Sequence, residues 1–319
     1  MGKARKALEI CVFTGTALAA VILAKPAHAQ IVPKPPTDLS YYVHSGDTGA
    51  TAQKLGCEQA NFDNSRNHAS FVILDFGAQR PNGKGTYLPG STVFWSNAAD
   101  ESYALHLAYG YEECGPRHVL ILAAGTNNDG AATNGALGGI WGGLVQAVAR
   151  QASARGYSHV SVQGAVDAEP GFGSFRHFKG WEWGDRSGRG YVSRTTALLD
   201  DYGSADGCPQ ALGRIANLKC GNGWNVPDEY NAVWGWPPNE GTPEIYFDGC
   251  HGSANQVNQW ANVSAYGRRY QHKGMVRFVA PLNQGNCLNS GASWREFRAA
   301  LARDSVAQVM RFSSQMITR

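Results

Sequence analysis

Continuous apolar runs alternate with segments of helical periodicity along most of this chain. Short apolar runs bounded by polar turns are typical of buried strands, and they occupy 71–76, 92–95, 118–124, 159–166, 217–220, 243–247 and 275–281. Apolar residues that recur every three or four positions predict helices over 98–111, 140–154, 191–201, 226–234, 254–266 and 293–304. The run 306–312 fits either a last strand or more helix. This alternation predicts parallel β/α units.

The number of predicted strands favours an α/β fold of the (β/α)8, or TIM barrel, type, with long loops stapled by disulfides. Continuous apolar strands also indicate a sheet that is covered or closed on itself. An open doubly wound sheet is the rival, but the stretch FGAQRPNGKG lacks the G-x-G-x-x-G spacing of a dinucleotide-binding turn. We therefore expect a signal peptide over 1–29, a Pro-rich linker and N-terminal arm over 30–66, and one barrel domain over 67–319.

The first 29 residues have the three parts of a secretory signal peptide. A basic start precedes an apolar run at 10–24, and the small residues AHA at 27–29 form the cleavage site. An uncleaved anchor is the alternative, but the run is short for a membrane span. We expect a secreted protein with no membrane contact after cleavage. Because removal of the signal leaves balanced charges and no basic run, we expect no nucleic acid partner.

Six of the seven cysteines remain after cleavage, and an even number in an oxidising compartment predicts three disulfides. Fifteen pairings of six cysteines are possible. Sequential pairing closes loops of modest length, and we favour it: Cys57–Cys114, Cys208–Cys220 and Cys250–Cys287. None of these cysteines has the C-x-x-C spacing of a zinc ligand pair.

Acidic and amide side chains follow several of the predicted strands. The stretch GAVDAEPGF (164–172) ends one strand with Asp167 and Glu169. Alternating side chains put these two acids on one face of the strand, about 6–7 Å apart. The other residues of this kind at strand ends are Asp75, Asp248, Asn127 and Asn128. The carboxyl ends of barrel strands form one rim, where catalytic groups lie.

Two neighbouring acids can divide the work of glycoside hydrolysis. One stays ionised, while burial and the neighbour's charge keep the other protonated. The protonated acid serves the leaving oxygen, and the negative charge stabilises the oxocarbenium-like centre. Each acid also has a structural interpretation: Asp167 fits a cap or a turn completed by Pro170 and Gly171, and Asp75 and Asp248 lie in D-x-G and D-G turn sequences.

The set of motifs resembles a known class of barrel proteins. GAVDAEPGF after a middle strand, VILDFG on the first strand, TNN after an early strand, GCP…CGNGW and a late PEIY strand are together similar to secreted bacterial glycoside-hydrolase-like barrels, in the style of family 25 lysozymes and family 18 chitinases. The resemblance implies that Glu169 is the proton donor and that Asp167 orients it or holds an acetamido group. It also implies that Asp75 is the first-strand acid of the lysozyme-like barrels.

The chain departs from the chitinase pattern upstream of these acids. That pattern carries further acids where this chain has Gln163, Gly164 and Val166, so the lysozyme-like version of the resemblance fits better.

Tryptophans are concentrated in the predicted loops, where flat aromatic faces suit sugar rings. The candidates for substrate binding are Trp181, Trp183, Trp224 and Trp236, and packing under long loops is the alternative for each. His177 and His251 are alternative general bases or metal ligands. Because no H-E-x-x-H or H-x-H spacing occurs, we expect neither a metal nor another cofactor.

These features predict a secreted hydrolase that cleaves glycosidic bonds in an extracellular polysaccharide or a cell-wall glycan. In this hypothesis Glu169 is the acid and Asp167 its partner. Asp75 and Asp248 position the sugar or activate water, and Asn127 and Asn128 donate hydrogen bonds to hydroxyls. The alternative is a non-catalytic carbohydrate-binding barrel, since a carboxylate pair and aromatic faces can hold a sugar without chemistry.

Overall fold

The fold is a curled parallel sheet with helices, an α/β architecture. The computed structural model describes residues 32–44, 47–88, 93–128, 134–184, 188–211, 219–245, 253–284, 290–303, 308 and 310–318. The parallel strands are β1 Thr37–Tyr42, β2 Ser70–Gln79, β4 Leu120–Asn127, β5 Val160–Asp167, β6 Leu199–Asp201, β7 Asn239–Gly241, β8 Leu282–Gln284 and β9 Ser313–Ile317. A short strand, β3 Thr86–Tyr87, pairs antiparallel with β2.

Helices lie between successive parallel strands along the chain. They are α1 Gly49–Arg66, α2 Asn97–Glu113, α3 Gly135–Ala154, α4 Phe175–Trp183, α5 Val226–Tyr230, α6 Ser253–Tyr270 and α7 Ser290–Ala302. A π-helical turn, Asn231–Gly235, continues α5. In none of the described helices is there a stretch long and apolar enough to cross a membrane.

The parallel strands follow the chain order across the sheet, and β7 and β8 lie at its two ends. The order across the sheet is β7-β6-β5-β4-β2-β1-β9-β8. Backbone hydrogen bonds also join the segment after β7 to the segment that leads into β8. The amide of Val279 donates to the Gly241 carbonyl at 2.8 Å, and the amide of Ile245 donates to the Leu282 carbonyl at 2.8 Å.

Apolar side chains fill the inside of the curled sheet. Phe71, Ile73, Ala123, Ala165 and Tyr202 belong to this cluster, together with residues near the last two strands. A larger cluster joins the outer face of the sheet to the helices. The inward rows of β2 and β5 therefore rise from an apolar interior toward the carboxyl ends of the strands, where Asp75 and Asp167 lie.

The compact unit begins earlier than the expected boundary at residue 67. It spans Lys34–Arg319, because Thr37–Tyr42 pairs in parallel with both β2 and β9. The region expected to be an N-terminal arm thus supplies a central strand and α1. The signal peptide remains a prediction, since residues 1–29 lie outside the described residues.

Two of the three predicted disulfides are confirmed, Cys57–Cys114 and Cys208–Cys220. The first links α1 to the end of α2, and the second closes a loop after β6. The pairing of Cys250 with Cys287 stays a prediction, because both cysteines lie outside the described residues.

Candidate functional site

Asp75 ends the inward row of β2. It continues the row of Phe71 and Ile73, and only 3% of its surface is exposed. Its Oδ1 atom accepts a hydrogen bond from the Gly77 amide at 2.7 Å. Gly77 has a φ of 77°, and a Cβ there would overlap the Tyr87 carbonyl of β3. The D-x-G sequence therefore builds a local bulge and also leaves a carboxyl group at the inner end of the sheet.

Asp167 ends the inward row of β5, two residues after Ala165 of the apolar interior. Its neighbour across the sheet is Asn127 of β4. Asp167 is 9% exposed, and its Oδ1 atom has no hydrogen-bond partner. A buried carboxyl oxygen without a partner is costly in a core, so this atom is available to a ligand or to a neighbouring acid.

Three carboxyl groups, those of Asp167, Glu169 and Glu244, converge at this end of the sheet. One oxygen from each lies within 4.8 Å of an oxygen of the other two. Glu244 follows β7 and pairs with Leu282 of β8. Glu169 lies just beyond β5 and is partly exposed, whereas Asp167 and Glu244 are buried. We call these three residues the acidic trio.

Asn128 fixes the backbone that carries Glu169. Its side-chain amide donates to the Glu169 carbonyl at 3.1 Å, and its Oδ1 atom accepts from the Glu169 amide at 3.0 Å. The amide of Ser204 donates to the Glu169 carboxylate at 3.2 Å. Asn128 is 2% exposed. In this structure its side chain positions Glu169 and is itself buried. Asn127 remains partly exposed beside Asp167.

Burial and mutual repulsion favour protonation of these acids. Burial raises the pKa of Asp167 well above its usual range, and the charges of Glu169, Glu244 and Asp75 raise it further. Burial also raises the pKa of Glu169, against the opposing effect of hydrogen bonds from Ser204. Burial raises the pKa of Asp75 to about 6. The site therefore holds at least one proton in the range where isolated acids are ionised.

Sequence reasoning missed three residues of this neighbourhood: Glu244, Asp201 and Tyr202. Asp201 accepts hydrogen bonds from the amides of Ala168 and Gly203 at 3.3 and 3.0 Å, and burial raises its pKa to about 7. The fully buried Tyr202 donates its hydroxyl to the Thr126 carbonyl at 3.4 Å, and its hydroxyl opposes the rise in the pKa of Asp75. Period-two alternation within PEIYF would have found Glu244. Asp201 was hidden by the helical interpretation of 191–201, and Tyr202 directly follows that segment.

Glu229 of α5 is a further buried acid behind the site. It has no exposed surface, and neither of its carboxyl oxygens has a hydrogen-bond partner. Burial raises its pKa well above the usual range, and the charges of Asp201 and Glu169 add to that effect. The folded protein therefore keeps Glu229 protonated at pH values where the unfolded chain ionises it.

Replacing Glu229 with glutamine is expected to remove a loss of stability that grows as pH rises above about 4. The unfolded glutamate releases its proton near pH 4.3, while the folded one keeps it, so the free energy of unfolding falls as pH rises above that value. Glutamine is neutral throughout. Urea unfolding near pH 5 and pH 8 should show the free energy of unfolding of Glu229→Gln rising relative to that of the unaltered chain. The rise is about 1.4 kcal/mol for each pH unit over which the folded Glu229 keeps its proton. The exposed Glu58→Gln should show no such growth, and an equal difference at both pH values for Glu229→Gln would contradict the assignment.

The four candidate tryptophans divide into a buried pair and a more exposed pair. Trp181 and Trp224 lie in the core, where their indole N–H groups donate to Gln79 Oε1 and to the Gly173 carbonyl, both at 2.7 Å. Trp183 is 40% exposed and meets the ring of Trp236 edge-on. In this structure only the second pair presents aromatic surface to solvent.

The remaining candidates are Asp248, His177, His251 and two cysteines. Asp248 and His251 lie outside the described residues, and His177 is exposed in the first turn of α4. Cys208 and Cys220 lie near Glu229, but their sulfur atoms form a disulfide and are not metal ligands. The trio's oxygens have a spacing that also suits a hard cation such as Ca²⁺, and we assign no ion to them.

Fold and site together define an α/β protein with a cluster of protonatable carboxyl groups at the carboxyl ends of its parallel strands. No protein-family model, curated protein or solved structure matches the chain.

Proposed function

We propose that this protein is a secreted glycoside hydrolase that cleaves an extracellular polysaccharide or a cell-wall glycan at the acidic trio. The observation that carries the proposal is the approach of Asp167, Glu169 and Glu244 oxygens to within 4.8 Å of one another. Such a group holds a proton next to a negative charge, which is the combination that glycosidic cleavage needs.

We also propose that the curled sheet closes into a complete (β/α)8 barrel. The sequential strand order supports this, as do the parallel bridges from Gly241 to Phe278 and from Glu244 to Leu282. In such a barrel the trio occupies the carboxyl-end rim, where barrel enzymes carry their catalytic groups. The two disulfides and the signal-like first 29 residues support secretion.

In the proposed reaction Glu169 gives its proton to the glycosidic oxygen as the bond from that oxygen to the anomeric carbon breaks. Glu169 is suited to this because it is the most accessible of the trio. Asp167 and Glu244 share the trio's remaining negative charge, and whichever of the two is ionised forms a bond to the anomeric carbon as the glycosidic bond breaks. Water then displaces that carboxylate and returns a proton to Glu169, as in a retaining mechanism.

The close approach of the trio's nearest oxygens favours retention of the anomeric configuration in the proposed reaction. Retaining enzymes hold their two carboxyl groups about 5–5.5 Å apart, and inverting enzymes hold them about 6.5–9.5 Å apart to admit water. The trio's oxygens lie within 4.8 Å. We expect reducing ends to appear when the protein is incubated with peptidoglycan, chitin or other polysaccharides, and proton NMR of the first product should show the substrate's anomer.

Three outcomes of this assay bear on the proposal. Release of the opposite anomer would overturn the retaining mechanism. Binding of a glycan without any reducing ends would favour the non-catalytic carbohydrate-binding alternative. Loss of activity in a chelator, with recovery on adding Ca²⁺ or Mg²⁺, would point to cation chemistry on the same oxygens instead of proton transfer.

A further inference from the structure

A cavity lies at the opposite end of the sheet from the acidic trio. It has a volume of about 530 Å³, within the range of small-molecule sites. It is lined by Ile121 and Ser161, near the starts of β4 and β5, and by Glu240 of the short strand β7. The trio lies near the carboxyl ends of the same strands, so this cavity is a separate feature and does not depend on the proposed glycosidase chemistry.

The cavity carries two exposed arginines. Arg277 and Arg311 both line it. The acid among its lining residues, Glu240, is hydrogen-bonded to Gln163, whose Nε2 atom donates to its Oε1 at 2.8 Å. Burial raises the pKa of Glu240, while the hydrogen bond from Gln163 and the charge of Arg311 oppose that rise. Two arginines face this single acid. The balance of charge in the cavity is therefore positive, and guanidinium groups are the side chains best suited to pair with a planar acid group.

The remaining walls are apolar and partly open to water. Leu198 lines the cavity with 44% of its surface exposed. The Trp234 indole N–H donates to the Lys273 carbonyl at 3.3 Å, which fixes the edge of a partly exposed ring. Phe278 and Phe312 add aromatic surface. Flat apolar walls beside arginines suit a ligand with a ring at one end and a negative charge at the other.

We propose that this cavity binds a small aromatic carboxylate, with its acid group between Arg277 and Arg311 and its ring against Trp234 and Phe278. Glu240 limits the affinity, because its residual negative charge opposes the ligand's acid group. The cavity therefore binds the anionic ligand more tightly than the neutral analogue of that ligand. A purely apolar cavity would show no such preference for the charged ligand.

Isothermal titration of the full chain with 2-naphthoate and with its uncharged analogue 2-naphthamide tests the proposal. We expect 2-naphthoate to bind more tightly, and Arg277→Ala or Arg311→Ala to weaken it by about ten-fold, or about 1.4 kcal/mol. Glu240→Gln should strengthen it by a few-fold, since one opposing charge is removed. The matched control is Arg303→Ala, an exposed arginine after α7 that does not line this cavity.

Several results would overturn this assignment. They are the absence of binding, equal affinity for the acid and the amide, unchanged affinity in both arginine variants, and weaker binding in Glu240→Gln. Because the arginines are exposed, circular dichroism should show that their alanine variants are folded. The readout is binding alone, so it stands or falls independently of any glycan assay.

Discussion

Replacing Glu169 with glutamine is expected to lower the rate of glycan cleavage by about 10³-fold, the range for loss of a general acid. Glutamine keeps the size and the hydrogen-bonding capacity of the side chain but has no proton to transfer at this position. The Ser204 amide that donates to the carboxylate at 3.2 Å can donate equally to the glutamine carbonyl. Glycan affinity should therefore change by less than the rate does.

The measurement is the rate of reducing-end release on a glycan that the unaltered chain cleaves, together with the dissociation constant for the same glycan. Glu58→Gln is the matched control, because Glu58 is an exposed residue of α1 whose side chain lies 3.7 Å from Lys54. That variant should cleave at the normal rate. Full activity in Glu169→Gln would remove Glu169 from the mechanism, and loss of binding along with turnover would make it a substrate contact.

The sequence predicted the inward acids of β2 and β5 because they follow continuous apolar strands. Asp75 and Asp167 extend rows whose earlier members, Ile73 and Ala165, are core residues. Such rows can be predicted from the sequence, because side chains alternate between the two faces of a strand. The hydrophobic pattern does not show which strands pair. That pairing brings a carboxyl oxygen of Glu244 to within 4.8 Å of oxygens of Asp167 and Glu169.

Strand β1 was missed because its inward side chains are polar. Asp38 and Ser40 are buried. Asp38 Oδ2 accepts from the Phe71 amide at 3.0 Å, and Ser40 Oγ accepts from the Ile73 amide at 2.8 Å. The interior of the sheet satisfies these groups with hydrogen bonds. The hydrophobic pattern alone therefore predicted that this segment belongs to the linker and N-terminal arm over 30–66.

The prediction of a helix over 191–201 was wrong for a different reason. Leu199–Asp201 is a strand of three residues that pairs with β5 on one side and β7 on the other. Only Tyr191–Ser193 forms a helical turn, of the 3-10 type. So short a strand has no period to detect, and tertiary pairing overrides its local preference.

Helix α1 was also missed, and its packing gives the second prediction of large effect. Gly56 of α1 faces the Leu107 carbonyl of α2, and Gly110 of α2 faces the Gln53 carbonyl of α1. A Cβ at either glycine would overlap that backbone oxygen. The two helices therefore approach closely through two glycines, and the Cys57–Cys114 disulfide links them beside this contact.

Replacing Gly56 with alanine should destabilise the protein by about 3 kcal/mol or more, because the added methyl group meets backbone that cannot rotate away. Alanine otherwise favours a helix by about 1 kcal/mol over glycine, so the sign of the result separates crowding from helix propensity. Gly143→Ala is the matched control: Gly143 lies within α3, and a Cβ there meets nothing within 4 Å. Urea unfolding should show the control to be neutral or stabilised. Should Gly56→Ala match it, the helices have room to separate, and the close contact does not hold α1 against α2.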